Sequence, residues 1–442
     1  MDVPQDRVKI IARIKPAVHH NKAGNVNNVL YNTEVLRKGQ FMVFLDNDMR
    51  PEPDFLLYTL PWFYTEGEPR HWEINDNLSF VQTPQMFITD VIANGDKLGN
   101  ANQVFFSAIQ PGRDGENACA FAGTNAIFSK RALLRIGGIP YESQTEDAHT
   151  SIRLHKGGFV SYYVNLPLVI GDAPTTVASR QLQFLRWVKG SIQLWWAQFY
   201  NPPKRMVIGD APPEPPKEER PGGIMLTLFA LDTMTWPLSA ISALIYMFCA
   251  LVFVYFGEAP AKANDPFNTS SFLWVFLPYL CFRMLNNWIA LQGVKSSSIW
   301  VAQEVWYSGA FTAFLGILDA LYEKFMGTGL TGWKSTGEGT RTTKIEYFNI
   351  IVSALLIFGI IIRLIIFLAN SNDRLAAFGS AFFAGVILIQ LWPMVSMSLY
   401  ELLINEYKPA EEKKELGRFK IPNWLSFTAL LCVGISAGVL FA

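Results

Sequence analysis

Apolar positions in the first half of the chain fall into short runs separated by polar turns and one-sided helical patterns. Residues 8–14 (VKIIARI), 41–45 (FMVFL), 79–83 (SFVQT) and 120–128 (AFAGTNAIF) have strand length and strand composition. Between them, Val26, Val29, Leu30 and Val35 recur at helical spacing, and residues 54–64 (DFLLYTLPWFY) read as an apolar helix despite Pro61. Lys130–Ile136 is a short helix stopped by Gly137-Gly138. Thr145 is a natural N-cap, and Glu146 and Asp147 sit where acids favour a helix N-terminus, so a helix is predicted to start there. Strands alternating with helices predict an α/β sheet with covering helices over residues 1–177.

The pattern changes beyond residue 177. Residues 178–200 carry an aromatic face (Phe184, Trp187, Trp195, Trp196, Phe199) beside Arg180, Arg186 and Lys189, which suits an amphipathic helix at a membrane interface. The Pro-rich, charged stretch 211–221 is a linker, closing a segment of 178–223. Residues 224–442 form a membrane region with about five segments of spanning length, near 235–256, 272–292, 347–369, 377–400 and 423–442. Asp232, Arg283, Asn286 and Arg363 interrupt this apolar region, and such groups usually pair internally or line a protein-enclosed path. Residues 299–325, broken by Glu304, Asp319 and Glu323, read as a second interfacial helix, and the Gly- and Thr-rich stretch 327–343 as a loop.

Composition narrows the function classes. Lys plus Arg and Asp plus Glu number 37 each in 442 residues, a neutral balance that argues against a nucleic-acid partner. Cys119, Cys249, Cys281 and Cys432 lack metal-ligand spacing and read as buried thiols. Loops 293–345 and 401–422 hold five Lys or Arg each, against one each in 257–271 and 370–376. The basic loops, and with them the α/β domain, are therefore expected in the cytosol. Asn268-Thr269-Ser270 is a glycosylation sequon on the opposite side.

The candidate chemistry begins at Asp46-Asn47-Asp48, where the apolar run 41–45 stops. Strand alternation would turn Asp46 and Asp48 to one side, where both could meet one divalent cation such as Mg²⁺ or Mn²⁺ bridging to a diphosphate. The alternative is a plain turn, since Asp, Asn, Pro51 and Pro53 are ordinary turn residues. Likewise, Thr145-Glu146-Asp147 taken alone is only a well-capped helix.

Taken in order, the sequences K-A-G-N (22–25), D-x-D (46–48), V-Q-T-P-Q (81–85), T-E-D (145–147) and Q-x-x-R-W (183–187), followed by apolar helices, resemble the cellulose synthase group of processive glycosyltransferases. The resemblance covers roughly residues 8–200, and the membrane half by layout. It implies a GT-A-like (Rossmann-like) α/β cytosolic domain, inverting transfer from a UDP-sugar, and a channel for the product. It assigns the base to Asp147, with Thr145 and Glu146 beside it, and the metal to Asp46 and Asp48. Lys22 and His20 are placed near the diphosphate. Gln183, Arg186 and Trp187 correspond to the acceptor platform, with Arg186 also reaching the diphosphate. Phe121, Gly123 and Thr124 lie beside the acceptor's terminal sugar. Trp333, Lys334 and Thr336 fall in a nucleotide-gating loop, although Glu338 stands where the family has Lys.

The partners this implies are UDP-glucose, a growing β-glucan chain, the lipid bilayer of the plasma membrane, and other synthase subunits in a homo- or hetero-oligomer. Chitin-, hyaluronan- or mannan-type synthesis remains an alternative within the family. The other classes are a lipid-linked sugar transferase and a catalytically incomplete subunit that serves in assembly. Only one strand candidate, 8–14, precedes the D-x-D, and the family's uridine-holding aspartate motif is not found. The expectation is therefore a domain incomplete at its N-terminus, with further sheet and membrane helix upstream.

Overall fold

In the computed structural model the described residues are 20–31, 39–67, 71–87, 102–174, 176–199, 224–257, 278, 281–282, 285, 289, 299–327, 344–369 and 374–403. The expected strand 8–14, the linker 211–221, the sequon, the 327–343 loop apart from Gly327, and the segment 423–442 lie outside them, as does most of 272–292. The chain divides into two units. One comprises Met1–Met86, Phe105–Asp172 and Lys189–Trp236, and the other Phe87–Val104, Ala173–Val188 and Pro237–Ala442.

The first unit is built on a mixed sheet. Among the described residues the strands are β1 (Phe41–Phe44), β2 (Met49–Pro51), β3 (Tyr64–Gly67), β4 (His71–Ile74), β5 (Leu78–Gln82), β6 (Met86–Phe87), β7 (Ala126–Ser129), β8 (Val160–Tyr163) and β9 (Val169–Gly171), and this sheet has the order β1-β7-β5-β8. β7 is antiparallel to both neighbours, and β5 and β8 run parallel. A parallel pair needs a crossover, and the helices Lys130–Arg135 and Glu146–Lys156 lie in the chain between those strands. Beside this sheet, β2 (Met49–Pro51) pairs antiparallel with β9 (Val169–Gly171).

Two expectations are corrected by local chemistry. The apolar helix over 54–64 is broken, because Pro61 has no N–H to continue it. Helix Phe55–Thr59 passes into a 3-10 turn at Leu60–Phe63 and then into a strand, Tyr64–Gly67. The strand over 120–128 begins only at Ala126, because Gly123 (φ 85°) and Asn125 (φ 60°) adopt the left-handed conformation of a turn.

Phenylalanine dominates the core of this unit. Phe44, Phe80, Phe121 and Phe128 are all buried. Rings of Phe44, Phe80 and Phe121 lie 4.8, 5.0 and 4.8 Å from that of Phe128. Edge-on and offset contacts at such spacings are the preferred aromatic geometry. Leu133, Leu134 and Leu154 close the cluster from the two helices.

His155 is buried on the same helix as Leu154, and its Nε2 lies 2.8 Å from Ser161 Oγ. Burial, with a smaller contribution from the Arg113 charge, lowers its pKa from 6.5 to about 4. The folded state thus takes up a proton there only at lower pH than the unfolded chain. Its contribution is complete above the ordinary histidine pKa and is lost as pH falls toward about 4, up to roughly 3 kcal/mol. Unfolding of the detergent-purified chain between pH 7 and pH 4.5 checks this. The wild type should lose stability with acid faster than His155→Gln, and equal acid sensitivity of the two would refute it.

The second unit is helical. Helices Ser239–Phe256, Ile299–Met326, Lys344–Ala369 and Arg374–Leu403 pack on one another. Small residues such as Ala243, Ala250, Ala313, Ala320 and Ala384 are buried, which lets backbones approach closely. Gly359 is one such point: a Cβ there would overlap Val254 Cγ2.

Among the described residues, three helical stretches are long and apolar enough to cross a membrane: Leu226–Phe256, Tyr347–Ala369 and Ala376–Leu399. Within their most apolar windows only 28–33% of residues are buried, so most of these apolar side chains face outward. Phe248, Phe256, Phe358, Ile365 and Leu368 are among those exposed, as a lipid-facing surface requires. The stretch 299–325, expected to be interfacial, is helical as Ile299–Met326 and buries Thr312 and Asp319.

Arg363 shows how a cation is accommodated in this apolar unit. Its Nε donates to Val254 O at 2.7 Å near the end of Ser239–Phe256. Gly257 ends that helix at φ 78°, and a Cβ there would meet the guanidinium at 2.8 Å. A positive charge at a helix C-terminus opposes the macrodipole and satisfies an orphan carbonyl.

Candidate active site

β1 ends at Phe44, one residue before the expected strand end, and Asp46-Asn47-Asp48 form a turn closed by Met49 N–H donating to Asp46 O at 3.0 Å. The alternation expected to align the two carboxylates therefore does not apply. It is the tight turn that brings them near each other, while the short β2 carries the chain onward to pair with β9.

Asp46 is fixed from two directions. Its backbone N–H donates to Thr124 Oγ1 at 3.0 Å, and its carboxylate Oδ1 accepts from Lys22 Nζ. Lys22 lies in the first turn of helix Asn21–Leu30 and also donates to Gly123 O at 2.5 Å. Gly123 in turn faces Asp147, since a Cβ added there would lie 3.0 Å from Asp147 Oδ2. One glycine thus joins the K-A-G-N lysine, the first aspartate of D-x-D and the T-E-D aspartate. Its positive φ and this close approach both disfavour any side chain.

The turn bearing Gly123 is held by buried amides. Gln82 Nε2 donates to Thr124 O at 2.9 Å, and Gln82 Oε1 accepts from Ala122 N–H at 3.0 Å. Gln85 Nε2 reaches Ala122 O at 3.0 Å, so both glutamines of V-Q-T-P-Q serve this turn. Phe121 N–H donates to Ser151 Oγ at 2.7 Å, linking the turn to helix Glu146–Lys156. The Phe121 ring itself is in the aromatic core, so its side chain supports the turn rather than facing an open site.

Thr145 takes the N-cap position of that helix, but its hydroxyl makes no capping bond. Its Oγ1 is buried without a hydrogen-bond partner among the described residues. Asp147 Oδ1 accepts the N–H of Ala148 at 2.8 Å, which orients the carboxylate. The His20 ring, placed near the diphosphate by the sequence, is stacked on Tyr141, with centroids 4.0 Å apart.

Asp48 supplies the second carboxylate of the turn. Burial is the largest effect raising its carboxyl above the ordinary range; the negative charges of Asp46 and Asp172 add to this, and its own N–H and Lys22 oppose it. Asp172, which follows β9, was not legible as a site residue, because only the β2–β9 pairing brings it near Asp48. Among the described residues no three His, Cys, Asp or Glu are grouped to hold a metal ion. The donor set fits a hard divalent cation held by one or two carboxylates and completed by phosphate oxygens.

Gln183, Arg186 and Trp187 lie on helix Val177–Phe199, within the second unit. Arg180, on one face with Gln183 and Trp187, was missed as a site residue. Its guanidinium stacks over the Trp187 ring at 5.0 Å and the Phe184 ring at 5.5 Å, and donates to Gln183 Oε1 at 3.4 Å. The i, i+3, i+4, i+7 spacing was the available signal. Arg180 and Lys189 are both buried, so they do not form the solvated face that an interfacial helix would present. Trp333, Lys334 and Thr336 lie outside the described residues.

The first unit thus carries an acidic turn at a strand end of a mixed α/β sheet, and helices long and apolar enough to cross a membrane follow in the chain. The sequence matches the family described as "Glycosyl transferase family group 2" over residues 41–315. It is 33% identical over 334 residues to a UDP-forming cellulose synthase catalytic subunit of Dictyostelium discoideum, covering 73% of this chain and 28% of that protein. The UDP-forming cellulose synthase catalytic subunit of Pseudomonas fluorescens is 32% identical over 40% of this chain and 23% of its own length. The UDP-forming cellulose synthase 1 catalytic subunit of Komagataeibacter xylinus is 29% identical over 55% of this chain and 30% of its own length. The chain belongs to glycosyltransferase family 2, in its cellulose synthase group, and its first unit is GT-A-like. It spans under a third of the length of these relatives.

Proposed function

We propose that the protein transfers glucose from UDP-glucose to the end of a growing β-1,4-glucan with inversion, and that the polymer leaves through its membrane helices. Lys22, which binds both Asp46 and the Gly123 carbonyl, together with Asp147 on the other side of Gly123, carries this reading. A donor diphosphate is a leaving group of high negative charge, and Lys22 supplies a cation beside the Asp46–Asp48 turn. Asp46 and Asp48 would hold a divalent cation; when bound, it neutralises the charge that develops on the diphosphate.

Asp147 is the general base. The acceptor hydroxyl oxygen attacks the anomeric carbon, its proton passes to the Asp147 carboxylate, and the bond from that carbon to the diphosphate oxygen breaks with release of UDP. Glu146 and Thr145 position it. Trp187, ordered by Arg180, offers an aromatic face for an acceptor sugar ring, and Gln183 and Arg186 offer hydrogen bonds to it. The catalytic unit lies on the cytosolic side of the plasma membrane, consistent with the basic loops 293–345 and 401–422. A homo- or hetero-oligomer with other synthase subunits is part of the same reading.

Membranes carrying the full chain, supplied with UDP-glucose and Mg²⁺ or Mn²⁺, test it. The expected result is UDP release coupled to a polymer that a β-1,4-glucanase degrades. A polymer resistant to that enzyme and made from another UDP-sugar would assign a different β-glycan, and no turnover of any UDP-sugar would indicate an assembly role.

A further inference from the structure

Helix Val177–Phe199 contains a glycine near its middle, Gly190, although alanine is the better helix former at any ordinary interior position. The surroundings explain the glycine. A Cβ at Gly190 would lie 2.5 Å from Thr145 Cγ2, 2.7 Å from Thr145 N and 2.8 Å from Thr145 Oγ1. The middle contact is to backbone, so no rotation of a side chain relieves it. One turn along, Gln193 Oε1 accepts the N–H of Gln144 at 2.9 Å. Leu194 then packs with Ala148 and Ile152 of helix Glu146–Lys156. Three positions on one helix face therefore grip the two residues before Glu146 and the first turns after it.

We infer that Gly190 and Gln193 are positioning residues that fix the start of helix Glu146–Lys156, and through it the Asp147 carboxylate against Gly123. Asp147 lies two residues after Thr145, and its Oδ1 is tied to the next backbone N–H. A displacement of Thr145 is thus passed along the backbone to the carboxylate. Misplacement of a catalytic group by about 1 Å costs on the order of a hundredfold in rate. Gly190 and Gln193 touch neither donor nor acceptor in this account, which rests on Asp147 being the base.

The test uses the full chain in detergent with two variants, Gly190→Ala and Gln193→Ala. Hydrogen exchange of peptides covering residues 144–151 reads the positioning directly, without activity. Both variants should exchange faster there, Gly190→Ala by roughly tenfold, while peptides of helix Lys130–Arg135 stay unchanged. The turnover number should fall by about ten- to a hundredfold in Gly190→Ala and less in Gln193→Ala, with UDP affinity kept. Unchanged exchange at 144–151 overturns the inference, as does an equal loss of turnover and UDP affinity. If Gly190→Ala does not yield monodisperse protein, Gln193→Ala alone decides. A wild type without turnover overturns the catalytic reading on which this rests, and the exchange result still decides the positioning.

Discussion

Asp147→Asn retains UDP binding and loses polymer synthesis by a factor on the order of 10²–10⁴, the usual contribution of a general base. The geometry makes the amide a clean replacement. Asp147 Oδ1 accepts Ala148 N–H at 2.8 Å, and a carboxamide oxygen can accept the same bond. Its second polar atom occupies the place of Oδ2 beside Gly123, where there is no side chain to displace. Only the capacity to take a proton is lost. The donor-side groups Lys22, Asp46 and Asp48 stay in place, because Lys22 is held by Asp46 and Gly123 O rather than by Asp147. Rates of β-glucan formation together with titration of UDP in the presence of Mg²⁺ check this. Synthesis at the wild-type rate would remove Asp147 from the reaction. An equal loss of UDP affinity would place it in the donor site instead.

That Asp147 could be singled out from sequence at all depended on the order of motifs. As an isolated helix start, Thr145-Glu146-Asp147 carries no more chemistry than any acidic first turn. The hydrophobic pattern was sufficient for the strands at β1 and β5, because each is a short apolar run ending in polar residues. It also anticipated the three apolar helices found among the described residues, because a bilayer imposes a length that few other environments require. It failed where pairing partners are distant. Asp172 acquires its place beside Asp48 only when β9 pairs with β2, and no local periodicity encodes that pairing. Arg180 was visible only as a cation on an aromatic helix; its burial over Trp187 follows from packing that sequence spacing does not specify. Gly190 was silent for a related reason. Close approach of two helices leaves a glycine as its only trace, and a helix tolerates a glycine for many reasons.

Phe128→Ala should destabilise the first unit by about 3–5 kcal/mol, the range for emptying a buried aromatic site. Phe128 is fully buried in β7, the strand hydrogen-bonded to both β1 and β5, so its site cannot collapse without disturbing two neighbours. Its ring touches Phe44, Phe80 and Phe121, and each of those contacts would become a cavity wall. The loss reaches the site by a short route. Phe44 ends the strand that leads into Asp46-Asn47-Asp48, and Phe121 begins the turn whose Gly123 carbonyl accepts from Lys22. Both ends of the candidate donor site thus rest on one ring. Phe128→Leu keeps most of the volume and should recover much of the stability, while Phe128→Ala lowers UDP affinity along with the unfolding midpoint. Thermal unfolding and UDP titration of the detergent-purified chain measure both quantities. A wild-type midpoint in Phe128→Ala would mean that the aromatic cluster does not hold this sheet together.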